Sequence, residues 1–490
     1  MKAKLFLPII IAIAALLSCG VESREAEAVD ASPAIFPDYV GVTIPPNIAP
    51  LNFKLKQEQP AVINICLQDE SGDKKGKTLS LRSSKGYFMF SRRGWKKLMS
   101  EAAGKQLNIS VSSKTDTGWV RYLAFPIYVA EEKIDPILVY RKIAPGYRMW
   151  NSMGIYQRNL ESFSEKPILE NKQTDNNCMN CHSFCAGDSE KMVFHQRATH
   201  AGTYICTEEG IEKLDTKTDS TISAFVYPYW HPGGRYLAFS TNDTKQDYHF
   251  TDPNRIEVFD TGSDVVIYDT KGHKIITSPL LSSAAHLETF PCFSPDGSKL
   301  YFCSADSLSM PQEYRKMRYS LLSMDFDPQS GQLGTTVDTL YNASLSWGSA
   351  TFPRISPDGK YLIFTHSEYG TFPIWHKDAD LRIVDLHTGG SLNVGSLNSD
   401  EVESYHSWSS NSRWIVFSSR RQNGLYTAPF MAYISPEGEV GKPFLLPQSS
   451  PDYYDIVLHS FNIPELVKSE LRIDRAELVR ISKYGNSKKL

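Results

Sequence analysis

The sequence predicts an all-β fold made of a repeated four-stranded unit, and three observations support this prediction. Aromatic residues make up 12% of the chain, with 25 Tyr and 24 Phe, which favours strands over helices. Four segments align without gaps, and each contains two short apolar stretches joined by a turn. In two of them the turn is Ser-Pro-Asp-Gly, in which Pro fixes φ, Asp bonds its own backbone and Gly accepts a left-handed conformation.

The repeated segments begin 53 to 63 residues apart and are 226–239, 289–302, 351–364 and 404–417. A third apolar stretch follows the hairpin, as at 264–269 and 380–385, and a weaker fourth strand completes each unit. One four-stranded sheet cannot bury both of its faces alone, so the units are expected to stack around an axis. The sequence therefore predicts a β-propeller of about six blades.

Two further copies bring the predicted number of blades to six. A fifth copy runs from Cys181 to Cys206, with strands expected at 181–184, 192–194 and 202–206. Stretches 136–140, 154–158 and 166–169 supply three strands of a sixth blade. Its innermost strand is expected from near the C-terminus, which would close the ring.

The repeats resemble the WD-like propeller repeats of the TolB family, and the segment Phe-Ser-Pro-Asp-Gly-Ser-Lys-Leu-Tyr-Phe at 293–302 carries the resemblance best. The likeness covers about residues 135–450 and implies a propeller fold. It implies little about activity, because propellers host many unrelated functions. The whole chain also resembles TolB-like lipoproteins of Gram-negative bacteria.

The N-terminus indicates export and lipid attachment. Lys2 and Lys4 precede an apolar run at 5–17, which suits the core of a signal peptide and is short for a membrane span. The run ends in Leu-Leu-Ser-Cys-Gly, which resembles a bacterial lipobox with Cys19 as the acylated residue. Residues 1–19 are thus predicted to be a lipoprotein signal peptide and 20–32 a flexible tether. The expected location is the cell envelope, at the outer membrane, facing either the periplasm or the exterior.

The mature chain is predicted to contain two folded parts. Residues 33–130 carry no propeller repeat, but 61–67 and 107–111 alternate as strands do, and 94–103 suits a helix. We expect a small β-rich, sandwich-like domain there. The propeller is placed at 131–465 and a C-terminal tail at 466–490.

The motif Cys178-Met-Asn-Cys181-His182 has the C-x-x-C-H spacing of covalent haem attachment. Two thiols three positions apart add to the vinyl groups of one haem, and the adjacent imidazole reaches the iron as proximal ligand. From 8 Cys and 12 His, chance would give this motif roughly 0.003 times. Cys178 and Cys181 are therefore predicted to hold haem c, with His182 on the iron. The repeat register places Cys181 and His182 just before the innermost strand of their blade.

The same residues allow other chemistry. Cys178 and Cys181, with Cys185 and Cys206, could bind Zn²⁺, or the first two could form a disulfide in an oxidising compartment. The distal haem ligand is not assigned, and Met192 and His195 are the nearest candidates. His231 and His406, near the entrances of inner strands, are considered as residues of the channel mouth or as turn residues with satisfied hydrogen bonds.

Composition and absent motifs limit the possible functions. The net charge of −3 gives no basic field to attract nucleic acid. The chain has no G-x-S-x-G, Walker, dinucleotide-binding or H-E-x-x-H motif, which argues against the corresponding enzymes. Two hypotheses remain. One is an envelope haem protein that transfers electrons to a redox partner or binds a small ligand at the propeller mouth. The other is a non-enzymatic TolB-like scaffold that binds an envelope protein or glycan, its cysteines forming a disulfide or metal site.

Overall fold

The computed structural model describes residues 26–68, 78–144 and 152–490. The predicted signal peptide and Cys19 lie outside the described residues, as does the first part of the predicted tether. Within these ranges, no helix combines the length and apolar character needed to cross a bilayer. The chain divides into a smaller unit, within residues 1–133 and 447–453, and a larger unit, within 134–446 and 454–490.

Among its described residues, the smaller unit contains two sheets and one helix of more than one turn. A seven-stranded sheet has the order β1-β9-β8-β10-β3, with β5 paired to β8 and to β6, and a three-stranded sheet has the order β2-β4-β7. The strands are β1 Glu27–Ala28, β2 Ile35–Phe36, β3 Thr43–Ile44, β4 Phe53–Leu55, β5 Ala61–Gln68, β6 Thr78–Ser83, β7 Tyr87–Phe88, β8 Gln106–Thr115, β9 Gly118–Arg121 and β10 Phe125–Val129. Side chains of β5 alternate between buried and partly exposed, as the sequence pattern predicts.

The helix of the smaller unit, α1, spans Arg92–Ala102. Ser91 caps it by accepting a hydrogen bond from the Gly94 N–H at 3.2 Å, which satisfies one of the free donors of the first turn. Trp95, Leu98 and Met99 are buried at helical spacing. The helix predicted at 94–103 is therefore confirmed.

In the part of the chain that the structure describes, the larger unit contains six predominantly antiparallel sheets. In order along the chain they are β34-β11-β12-β13, β14-β15-β16-β17-β35, β18-β19-β20-β21, β22-β23-β24 with β25 and β26, β27-β28-β29, and β30-β31-β32-β33. The strands of the first three sheets are β11 Ile137–Ile143, β12 Met153–Asn159, β13 Glu165–Glu170, β14 Met179–Phe184, β15 Met192–Gln196, β16 Gly202–Thr207, β17 Gly210–Asp215, β18 Phe225–Trp230, β19 Tyr236–Tyr248, β20 Ile256–Asp269 and β21 Lys274–Ile276. The remaining strands are β22 His286–Phe293, β23 Lys299–Asp306, β24 Ser320–Asp327, β25 Gln332–Leu333, β26 Asp338–Tyr341, β27 Ser349–Ile355, β28 Tyr361–Ser367, β29 Asp380–Asp385, β30 Glu403–Trp408, β31 Trp414–Ser419, β32 Ala428–Tyr433, β33 Phe444–Leu445, β34 Ser460–Val467 and β35 Lys488–Lys489.

Short helices complete the fold: α2 Ala343–Ser346, α3 Tyr453–Ile456 and α4 Arg475–Tyr484. The predicted C-terminal tail contains α4, and β35 pairs in parallel with β17. The all-β, propeller-like character of the prediction is confirmed. The expected contribution of a C-terminal strand is confirmed too, because β34 pairs antiparallel with β11.

The turns of the repeat fold as their residues dictate. In the turn at Ser294, the Gly297 N–H donates to the Ser294 carbonyl at 2.9 Å, and Gly297 has φ +75°. The turn at Ser356 is the same, with Gly359 at φ +74° and a 2.8 Å bond to the Ser356 carbonyl. Glycine suits this position because it has no Cβ to clash in the left-handed conformation.

A β-bulge recurs in the first strand of all six sheets, namely β14, β18, β22, β27, β30 and β34. In each, the pairing register shifts so that two residues oppose one on the neighbouring strand. The first residue of each bulge has φ between 49° and 55°, and these residues are Cys181, Tyr227, Phe290, Phe352, Tyr405 and Ile463. The opposed residue is aromatic every time: Phe194, Phe239, Phe302, Phe364, Phe417 and Tyr140.

Aromatic side chains from four of the bulges converge. Ring centroids are 4.6 Å apart for Tyr227 and Phe290, 4.2 Å for Phe290 and Phe352, and 5.3 Å for Phe352 and Tyr405. Ile463 packs against the same cluster. We call these five residues the bulge cluster, and it lies where the first strands of the six sheets meet one another.

Candidate functional site

The C-x-x-C-H motif lies inside a strand. Apart from Cys178, its residues belong to β14, where Asn180 pairs with His195 and Ser183 pairs with Val193. The prediction that Cys181 and His182 precede the strand is therefore wrong. The physical reason is the bulge: Cys181 and His182 together oppose one residue of β15, and the pairing of β14 with β15 continues on both sides of them.

The two thiols of the motif have different surroundings. Cys178 is partly buried and packs against the apolar core between the first two sheets, which includes Met153 and Phe194. Cys181 is 3% exposed, and its thiol lies close enough to Tyr227 and Tyr405 to interact with them electrostatically. Burial raises the pKa of the Cys181 thiol, which keeps it protonated and unreactive at neutral pH. Both cysteines are free thiols.

His182 is 3% exposed, and neither ring nitrogen makes a hydrogen bond of normal geometry. Backbone groups of Ile463 and Val139 lie near the ring without completing such a bond. Burial, reinforced by the Arg141 guanidinium, lowers the pKa of His182 to about 3. The imidazole is therefore neutral, and its polar atoms lack partners, which is costly for a buried group.

These residues, as arranged, do not fit a covalent haem. His182 lines a cavity of about 170 Å³, whereas pockets for drug-sized ligands measure roughly 300–1,000 Å³. Neither Cys178 nor Cys181 lines that cavity. The two thiols and the imidazole thus do not surround one haem-sized space.

The other predicted ligands are not assembled around the motif either. Met192 is fully buried in the core between the first two sheets. His195 is buried, its Nδ1 lies 3.4 Å from the Thr203 hydroxyl, and burial lowers its pKa to about 3. Among the described residues, no three His, Cys, Asp or Glu side chains are grouped to hold a metal ion. The four cysteines considered above as zinc ligands, Cys178, Cys181, Cys185 and Cys206, therefore do not form such a group.

The cavity itself is built from the bulges of several first strands. We call it the bulge cavity, and its polar and aromatic lining includes His182, Tyr229, Arg354, His406, Trp408 and Glu465. His182 and His406 are the second residues of their bulges, where the other four strands have proline. Proline suits this position because the bulge leaves its backbone nitrogen outside the ladder. Tyr229, Arg354 and Glu465 each follow the second residue of a bulge.

His406 resembles His182 in its surroundings. It is 4% exposed, its Nε2 lies 3.2 Å from the Ile363 carbonyl, and its Nδ1 has no partner. Burial, with Arg354 nearby, lowers its pKa to about 3. His231, by contrast, is a satisfied turn histidine: its Nδ1 accepts from the Gly233 N–H at 3.0 Å, and its Nε2 lies 3.2 Å from the Gly297 carbonyl.

The charged residues of the cavity were not predicted from the sequence. The Arg354 guanidinium lies over the Tyr229 ring, 5.0 Å from its centroid, and donates to the Pro353 carbonyl at 2.8 Å. Glu465 Oε1 accepts from the Phe184 N–H at 2.9 Å. Burial raises the pKa of Glu465 to about 8. The register of the repeat could have indicated both residues, since each stands two positions after a bulge residue with positive φ.

Comparisons with known proteins identify no family. No protein-family model matches the chain, and no curated protein matches it. Among solved structures, a puromycin-hydrolysing peptidase of Mycobacterium tuberculosis is similar over 86% of this chain and 57% of its own, with 11% identity and a TM-score of 0.35. A prolyl endopeptidase is similar over 70% of this chain and 50% of its own, with 11% identity and a TM-score of 0.36.

A DUF4784 family protein from Bacteroides caccae is similar over 75% of this chain and 97% of its own, with 8% identity and a TM-score of 0.31. The chain thus spans only about half the length of the two peptidases. Nothing about activity follows for this chain from likeness at this level.

Proposed function

We propose that this protein is a lipid-anchored envelope protein whose larger unit is a closed, six-bladed TolB-like propeller that binds a ligand at the bulge cavity. The observation that carries the proposal is a pair of buried imidazoles, His182 and His406, that line one cavity with unpartnered ring nitrogens. Buried polar groups without partners are rare in folded proteins. A ligand that hydrogen-bonds to them would remove the cost of leaving them unpaired.

Contacts between the first strands support closure of the ring. Each of β14, β18, β22, β27 and β30 contacts the next, and β34 contacts both β30 and β14. The C-terminal strand β34 also completes the sheet of β11, β12 and β13. A ring closed by a strand from the chain end leaves no unpaired inner edge, which is how propellers avoid exposed edges.

A binding role suits this cavity better than a catalytic one. A general base works best when its pKa lies near the working pH. Both cavity histidines have a pKa of about 3 because they are buried, so neither would take up a proton at neutral pH. We expect the ligand of the bulge cavity to be a small molecule or a segment of an envelope protein or glycan.

The test of this proposal is a search for any ligand of the intact protein. Full-length protein, expressed with its signal peptide and extracted in mild detergent, is examined by native mass spectrometry and by thermal unfolding with a panel of cationic, neutral and anionic small molecules. We expect at least one compound class to bind wild type and to bind His406→Phe more weakly. If no class binds wild type, the proposal fails.

The second candidate function is that of a c-type haem protein with a redox partner, which the C-x-x-C-H spacing favours. It would require β14 to separate from β15 and the core to open around Cys178. Staining for haem after denaturing electrophoresis of protein made with the haem-attachment system tests it directly. A colourless band rules this candidate out. A coloured band that is lost in Cys181→Ser would support it in place of the cavity proposal.

The proposed lipid anchor has its own test. Labelling cells with a palmitate analogue is expected to tag wild type and not Cys19→Ala. The tagged protein is expected in the envelope fraction. Equal labelling of both proteins would contradict acylation at Cys19.

A further inference from the structure

The connections at the two ends of the six sheets of the larger unit differ. Because neighbouring strands are antiparallel, the chain enters the first strand of a sheet, and later turns from the second strand into the third, at the same end. We call these connections the entry end, and they include 249–255, 342–348, 420–427 and 454–459. The turns from first to second strands lie at the opposite end and supply part of the wall of the bulge cavity, such as Ala186 and Pro357.

Contacts between sheets show that their entry ends lie together. Asn254, in the 249–255 hairpin of the third sheet, donates from its Nδ2 to the Tyr369 hydroxyl of the fifth sheet at 3.3 Å. At the opposite end, the Asp358 N–H of the fifth sheet donates to the Ser412 hydroxyl of the sixth at 2.9 Å. The entry-end connections thus form one face of the larger unit.

This face carries the most exposed apolar side chains. Among the described residues of the larger unit, every large apolar side chain that is more than half exposed lies there, except Tyr484 on α4. Phe250 is 98% exposed and Trp347 is 86% exposed. The other members are Tyr248, Leu345, Leu425 and Ile456. One exposed apolar residue is ordinary, but their concentration at one end indicates a surface that makes contact with something else.

The hairpin that carries Phe250 is fixed in place by buried polar contacts. Glu257 Oε1 lies 3.0 Å from His376 Nε2, and Glu257 Oε2 accepts from the Tyr369 hydroxyl at 3.1 Å. The side chains of Glu257 and His376 are almost completely buried. A ring gains free energy on leaving water, and the fixed hairpin keeps Phe250 from making that gain against its own core. The gain is left for an external surface.

A lipid bilayer suits these side chains better than a protein partner does. Phe250, Trp347 and Leu425 stand on three separate connections, whereas a protein interface is centred on one closely packed patch. A fluid bilayer receives separate side chains without a matching pocket. Aromatic residues and leucine are also the residues that hold proteins at the membrane interface.

The charges beside Phe250 indicate that this contact is apolar. Lys245 pairs with Asp243 at 2.8 Å, and Arg315 forms an ion pair with Asp252. Between residues 243 and 257 the hairpin has more carboxylates than basic residues. It therefore lacks the basic cluster that selects anionic lipids, and salt should have little effect on the contact.

We propose that the entry end of the larger unit rests on a lipid bilayer, with Phe250 and Trp347 inserted at the boundary between headgroups and acyl chains. The inference draws on the proposed lipid anchor, because acylation at Cys19 would keep the protein at a high local concentration near the membrane, where weak contacts suffice. It goes beyond the proposed ligand binding. This orientation would direct the opposite end of the sheets away from the membrane.

The test locates Trp347 by fluorescence quenching. Full-length protein is reconstituted by detergent removal into phosphatidylcholine vesicles, with and without dibrominated phosphatidylcholine, whose bromines quench tryptophan on contact. The difference between wild type and Trp347→Phe isolates the emission of Trp347. We expect that emission to fall about twofold or more in brominated vesicles, since interfacial side chains reach the acyl boundary. The fall should be the same at high salt.

Two further variants compare the ends of the sheets. In the Trp347→Phe background, Phe250→Trp places a tryptophan on the 249–255 hairpin, and Val337→Trp places one at an exposed position outside the entry end. The emission added by Phe250→Trp should be quenched, and the emission added by Val337→Trp should not.

Each outcome decides the inference. It is overturned if bromine leaves the emission of Trp347 unchanged, if Val337→Trp is quenched as strongly as Phe250→Trp, or if the protein does not float with the vesicles. If Trp347→Phe does not fold, as judged by near-ultraviolet circular dichroism, Phe250→Trp and Val337→Trp are compared in the wild-type background. Quenching without acylation at Cys19 would contradict the anchor and support the bilayer contact. Ligand binding at the bulge cavity is measured separately, so its failure is distinguishable from the failure of this inference.

Discussion

Two kinds of first strand in the larger unit follow the same backbone course and place different side chains at the bulge. In β18, β22, β27 and β30 the residue with positive φ is Tyr or Phe, and the rings contact one another. In β14 that residue is Cys181, followed by His182. The C-x-x-C-H spacing therefore coincides with a repeated structural position. A motif indicates chemistry only where the backbone brings its side chains to one place, and of the two thiols and the imidazole only His182 lines the bulge cavity.

The turns of these hairpins differ as well. The hairpins of β22 and β27 turn through Ser-Pro-Asp-Gly, while the β14 hairpin turns through Ala186 and Gly187, both with positive φ. The turn carries most of the sequence signal of the repeat, yet the bulge and the opposed aromatic residue are present without it. The substitutions below test how far the two kinds of strand are equivalent.

The largest effect is expected from truncating the bulge cluster. Phe290→Ala removes a buried ring that contacts both Tyr227 and Phe352, and it should lower the free energy of unfolding by about 3–5 kcal/mol. Urea denaturation followed by tryptophan fluorescence measures this. A loss below about 1 kcal/mol would show that the cluster does not hold the first strands together.

A smaller loss of stability is expected when the glycine of either Ser-Pro-Asp-Gly turn, Gly297 or Gly359, is replaced by alanine. A Cβ on Gly297 would lie 2.1 Å from His231 Nε2, whereas a Cβ on Gly359 meets nothing within 4 Å. Gly359→Ala should cost about 1–2 kcal/mol from the left-handed conformation alone. Gly297→Ala should cost about 1–3 kcal/mol more because of overpacking. Equal losses in the two variants would contradict the contact with His231.

The cavity carboxyl should make stability depend on pH. The pKa of Glu465 is about 8 in the folded protein, above its ordinary 4.5, so folding favours the protonated acid. Its contribution is fully present below pH 4.5 and is lost as the pH rises through 8. As the pH rises from about 5 to 9, wild type should therefore lose about 1–2 kcal/mol more stability than Glu465→Gln, a range kept small because the residue is only partly buried. Glu437→Gln, at an exposed position, is the control and should follow wild type.

The smallest effects are expected at the cysteines of the motif. Cys181→Ala removes one buried sulfur and should cost about 1 kcal/mol, and Cys178→Ala, which is only partly buried, should cost less. Denaturation of protein purified from an oxidising compartment measures both. A loss of several kcal/mol from either variant, or from both equally, would point to a covalent link between or through these thiols.

Part of the candidate site was predictable and part was not. The repeat register correctly aligned Cys181-His182 with Tyr227-Pro228, Phe290-Pro291, Phe352-Pro353 and Tyr405-His406, because those pairs precede similar apolar stretches. The same register also pointed to His406, which lines the bulge cavity. Arg354 was not recognised as a cavity residue. It follows a proline in a strand, and nothing in the neighbouring sequence distinguishes an arginine that lines a cavity from one that faces solvent.

The sequence by itself determined the all-β fold, the hairpins and the strand taken from the C-terminal region. These depend on alternation, on turn residues and on the inability of one sheet to bury both faces, all of which are local or repeated properties. Only the tertiary structure decided which side chains meet. His182, Arg354, His406 and Glu465 come from four strands spread over nearly 300 residues of chain, and the positive φ of each bulge sets their direction. Proximity of this kind depends on packing, which spacing along the chain does not encode.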